Sequence, residues 1–131
     1  MKMQENNERR TEQRLRYYWP IWFAEDVNST LSQGQMVDIS SKAAAFTCHA
    51  GDGCPYYGQH LTARFSVPCY GLDESFDMAN FTRSGYVYRV ENVNSFLRRI
   101  VMQFAEPLPF KPGEQEPSEF GAQQALEPVT A

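Results

Sequence analysis

The chain has 131 residues, 42% hydrophobic and 14% aromatic, which suits one packed domain with short flanking segments. Its formal net charge of −4 argues against a protein that covers long DNA or RNA with a broad basic face. No run approaches the length of a membrane-spanning helix, and the N-terminus lacks the apolar stretch of a secretory leader, so a protein of the cytoplasm is expected, without membrane insertion.

Residues 1–16 are polar and charged, with no apolar periodicity before Leu15. They read as a mobile arm. Four of the nine arginines lie in this arm, at Arg9, Arg10, Arg14 and Arg16, with no lysine among them. A guanidinium is planar, permanently charged and carries a fixed fork of donors. It grips a phosphate through paired hydrogen bonds, or guanine through O6 and N7. Arg10 and Arg14 would span roughly 13 Å if extended, or share one side of a helical turn. A small, highly charged anion fits this local charge better than a polymer does. The plainer alternative is a solvated segment in which Glu8 and Glu12 pair with neighbouring arginines.

Six short strands follow. Residues 17–23 are aromatic and β-branched, with Pro20 tolerable only at an edge or bulge. Tyr17, Trp19 and Trp22 are expected in the core rather than on a stacking platform. Residues 35–39 form a short strand after a Ser32-Gln33-Gly34 turn, with Val37 and Ile39 on one face and Asp38 facing outward with Ser40. Residues 43–48 are a third strand. Residues 60–67 carry the cleanest signal: Leu61, Ala63, Phe65 and Val67 alternate with His60, Thr62, Arg64 and Ser66. Residues 85–90, after a Ser84-Gly85 turn, and residues 97–105 complete the set. Residues 73–83 fit either a loop or one helical turn. The pattern is that of an all-β antiparallel barrel or sandwich.

Residues 107–131 hold five of the eight prolines and four glutamates against one lysine, and read as a loose acidic tail with room for a weak docking helix. The expected organisation is therefore an arm over 1–16, a barrel over 17–110 and a tail over 111–131.

Three cysteines, Cys48, Cys54 and Cys69, are an odd number and point to free thiols in a reducing compartment. Cys48-His49 with Cys54 is too loose a cluster for zinc, so neither metal nor cofactor is expected. Gly-x-Ser-x-Gly, a phosphate-binding Walker loop and His-Glu-x-x-His are all absent from the sequence, and no enzyme is expected.

Two stretches together resemble the PilZ family of bacterial cyclic di-GMP receptors, whose ligand signature is RxxxR followed by [D/N]xSxxG. Arg10-x-x-x-Arg14, with Arg9 doubling the first arginine, matches the first half, and Asp38-x-Ser40 matches the second. The resemblance runs from about Glu8 to Phe110. It implies a six-stranded antiparallel β-barrel and cyclic di-GMP as ligand. Arg10 and Arg14 would hold phosphate and the guanine Hoogsteen edge, Arg9 would assist, and Asp38 and Ser40 would meet guanine from the barrel surface. It also implies second-messenger signalling to an effector protein through ordering of the arm. The chain departs from the signature at Ala43, where the family has glycine. If that position needs a left-handed backbone, alanine costs ~1 kcal/mol. The rival reading is a PilZ-like interaction module, related to type IV pili or motility, that no longer binds nucleotide.

Overall fold

The computed structural model describes residues 12–26, 28–70 and 76–115. Among the described residues there are seven strands: β1 (Leu15–Arg16), β2 (Pro20–Ala24), β3 (Ser32–Ile39), β4 (Ala43–His49), β5 (His60–Tyr70), β6 (Phe76–Asn92) and β7 (Leu97–Phe104). All pairings are antiparallel, in the order β1-β3-β2-β5-β6-β7-β4, and β4 pairs back onto β3. Six strands thus close into the expected all-β barrel. Strand β1 is an addition, lying along the second half of β3 as β2 lies along the first.

Period-two alternation fills the interior. Ile21 and Phe23 from β2, Met36 and Ile39 from β3, Ala44, Phe46 and Cys48 from β4, and Leu61, Ala63, Phe65 and Val67 from β5 meet Val87, Ile100, Met102 and Phe104 in one cluster. The Phe65 ring stacks on Phe104 with centroids 5.5 Å apart, and Phe23 meets Phe46 at 5.0 Å. Pro20 is the first residue of β2, where its missing N–H does least harm. Because Ile21 and Phe23 take the inward positions, Trp22 projects outward and is 40% exposed; Trp19 is likewise 45% exposed. The expectation that both tryptophans lie in the core is therefore wrong. Tyr17 is packed against the core and donates its hydroxyl to the Ser66 carbonyl at 2.7 Å.

Two expected turns are strand. Ser32-Gln33-Gly34 begins β3, and Ser84-Gly85 lies within β6. Both glycines serve close approach of neighbouring backbone. A Cβ on Gly34 would lie 2.7 Å from the Thr47 carbonyl oxygen, and one on Gly85 would overlap the Gln103 carbonyl. Residues 76–83, which fit a loop or a helical turn by sequence, are also strand. Residues 66–70 and 76–84 form a two-stranded ribbon that runs past the partners β2 and β7 take in the barrel wall. One side of that ribbon has no core to face, so its sequence needs no strict alternation.

After β7 the chain turns back along the barrel. Leu108 is buried and donates its N–H to the Ser41 carbonyl at 2.7 Å. Arg83 holds the passing backbone through the Glu106 and Pro107 carbonyls at 2.9 and 3.2 Å. A 3₁₀ turn, Pro112–Glu114, ends this course with Pro112 buried.

Two outcomes test this packing. Gly85→Ala is expected to destabilise the barrel by about 1–3 kcal/mol, because its methyl must displace β7 backbone; an unchanged denaturation midpoint contradicts that fit. Burial, helped by the adjoining Cys54 thiol, pushes Cys48 from an ordinary 9.0 up to about 12. The folded thiol stays neutral after the unfolded one ionises, so this contribution is whole below pH 9.0 and declines as the pH rises toward about 12. Alkylation near pH 9.0 should label Cys48 far more slowly in the folded chain than in denaturant.

Candidate functional site

The residues singled out from the sequence gather on the outer wall where β3 meets β4. A β-bulge falls between Met36 and Asp38: Met36 pairs with Phe46, and Asp38 already pairs with Ala45. Val37 is the extra residue, and its carbonyl accepts from the Tyr17 N–H at 3.2 Å. Met36 and Ile39, rather than Val37 and Ile39, are therefore the fully buried pair. The bulge turns Asp38 to the outer face beside Ala45.

Asp38 does not stand open to water. Its side chain is 11% exposed, because two guanidiniums cover it. Arg14 Nη1 comes from the arm to within 3.5 Å of Oδ1. Arg99 Nη2 comes from β7 and donates to Oδ2 at 3.2 Å. Two fixed positive charges thus share one carboxylate, and the cluster carries one unit of excess positive charge. Register places Asp38, Ala45, Val101 and Arg89 in one cross-strand row, and Gln35, Thr47, Arg99 and Glu91 in the next. Ala43, Gln103 and Tyr86 form a third row. Beside Asp38 the wall thus carries the buried Ala45 and Val101, and the third row adds Ala43 and Tyr86.

Ser40 is 8% exposed and serves the β3–β4 turn. Its hydroxyl oxygen accepts from the N–H groups of Lys42 at 3.2 Å and Ala43 at 3.1 Å. Its own proton meets only the Ala43 carbonyl, at 3.5 Å. Asp38 thus lies on the outer face, as expected, but beneath two guanidiniums, and the Ser40 hydroxyl is engaged in the turn. Ala43 opens β4 opposite Gln103. Its backbone is extended, a region that alanine occupies without the left-handed penalty.

The arm is fixed from Glu12 onward. The Glu12 carboxylate accepts from the Ser41 N–H and hydroxyl, both at 2.7 Å. Leu15 pairs with Ile39 and packs on the core. On the other side, the Gln13 N–H donates to the Glu114 carboxylate at 2.8 Å. Gly113 lies so close that a Cβ there would overlap the Gln13 carbonyl. Arg14 is therefore held between the barrel wall and the 3₁₀ turn. Arg9 and Arg10 lie outside the described residues.

Five contributors were not found from the sequence. Arg99 is 61 positions from Asp38, reached across β4, and the sequence carries no local sign of it. Ser41 and Glu12 meet over 29 positions. Gly113 and Glu114 fall in the segment whose composition suggested a loose tail.

No protein-family model matches the chain, and no curated protein does. Among solved structures, the fold is similar to that of the Bacillus subtilis inhibitor of motility, MotI/DgrA, with a TM-score of 0.58 and 14% identity over 90% of this chain. The chain spans about half of that protein, 52% of its length. At this identity the likeness establishes a shared fold. No helix among the described residues is long and apolar enough to cross a membrane.

The docking of the arm has a direct test. Gly113→Ala should free the arm by forcing the 3₁₀ turn away from Gln13. Amide exchange at Gln13 and Arg16 is expected to accelerate while the β4 and β7 amides keep their protection. Equal protection in both proteins would show that the turn does not hold the arm.

Proposed function

We propose that this protein is a PilZ-type receptor for cyclic di-GMP and not an enzyme. The observation that carries this reading is the meeting of Arg14 with Asp38 at 3.5 Å, on a barrel wall whose next turn holds Ser40. These are three of the signature positions, and they come together from an arm and a strand 24 positions apart in a chain of otherwise acidic balance.

The chemistry follows from the side chains. A cyclic dinucleotide offers two phosphodiesters and two guanines. Arg14 supplies a fork of donors for phosphate or for guanine O6 and N7. Asp38 supplies an acceptor for guanine N1 and N2, the edge arginine leaves free. Arg10 lies at most about 14 Å of extended chain before Arg14, so Arg9 and Arg10 can close over a ligand seated at Asp38. Closure of that leader is the signal, presenting a new surface to an effector protein.

A second reading keeps the barrel and discards the nucleotide: a protein-interaction module connected with motility. The fold shared with an inhibitor of motility favours it. One calorimetric titration separates the two. Cyclic di-GMP is expected to bind, with GTP and cyclic di-AMP much weaker. Arg14→Ala should cost about 1–3 kcal/mol, the worth of a bidentate pair. Absence of heat with the intact chain at high micromolar ligand rejects the receptor and leaves the interaction module.

A further inference from the structure

We infer that Arg99 is a second jaw of the anion site, gripping from β7 the phosphodiester that Arg14 meets from the arm. This rests on the nucleotide reading above and adds to it a residue outside the two-part signature.

The geometry is that of a clamp at rest. Arg14 and Arg99 approach different oxygens of the same carboxylate, at 3.5 and 3.2 Å. Asp38 can neutralise only one of them. Both side chains keep contact with solvent, at 26% for Arg14 and 35% for Arg99. A guanidinium has five donors. Among the described residues Arg99 spends one, on Asp38, and Arg14 makes only its ion pair. The remaining donors are those a phosphate would take.

The acid directly opposite Arg99, on β6, is Glu91. Glu91 instead pairs with Arg89 at 3.4 Å, in an exposed contact. Asp38 therefore acts as a strut, holding two like charges near each other in the absence of an anion. An arriving phosphodiester supplies the missing negative charge. Arg14 can then move onto it without stranding the carboxylate, because Arg99 still covers Asp38. The two arginines come from different parts of the chain, so a ligand between them ties the arm to the β7 side of the barrel.

The test is binding of cyclic di-GMP to the intact chain and to Arg99→Ala and Arg99→Lys. Arg99→Ala is expected to weaken binding roughly tenfold or more, as loss of a charge-assisted contact predicts. Arg99→Lys, which keeps the charge and loses the fork, should fall between. In the unaltered protein, the Arg99 guanidinium resonance, assigned by its absence in Arg99→Lys, should shift on saturation with the nucleotide. A resonance that stays in place at saturation overturns the inference even if Arg99→Ala fails to fold. Wild-type affinity in Arg99→Lys together with loss in Arg14→Ala removes Arg99 alone and leaves the receptor standing. If the intact chain does not bind, the receptor and its second jaw fall together.

Discussion

A single covered carboxylate organises this surface. Asp38 is placed by a bulge that inserts one residue into β3, and it holds Arg14 and Arg99 on its two oxygens. Taking a charge out of water is tolerable only with partners near, so Asp38, Arg14 and Arg99 constrain one another. Arg14 in turn fixes where the arm runs, and Arg99 fixes how β7 presents its outer face. Glu12 on Ser41 and Gln13 on Glu114 complete the anchorage from either side.

The barrel was legible wherever one face of a strand meets the core and the other meets water. Residues 60–67 show this plainly, and their alternation survives in the structure residue for residue. The reading failed where a second constraint overrode the period. The bulge at Val37 made Met36 the inward partner of Ile39, and no sequence rule marks a bulge without glycine. Gly34 and Gly85 looked like turns because glycine is the common turn residue, yet here it admits a neighbouring carbonyl. The ribbon after Phe76 lacked alternation because only part of it touches the interior.

The site was half legible, and for an equally physical reason. Arg14, Asp38 and Ser40 belong to short local patterns that can be read along the chain. Arg99 belongs to a relation between strands, set by the register of β4 on both β3 and β7. The Asp38 and Arg99 rows lie next to each other only because the barrel closes there. Ser40 shows the converse. Its position matches a binding motif, while its hydroxyl also caps the turn that carries β3 into β4, so the same atom supports the scaffold and borders the site.

The ribbon beyond the barrel wall carries a hazard of its own. Past Phe65, no strand among the described residues pairs with β5 on the side that β2 occupies earlier, and a bare row of backbone groups is a template for another chain. Pro68 removes one donor from that row. The Tyr17 hydroxyl occupies the Ser66 carbonyl, and the Gln115 amide occupies that of Pro68 at 2.7 Å. The segments flanking the barrel thus act as guards against edge-to-edge aggregation, so trimming either end to obtain a minimal domain exposes a sticky margin.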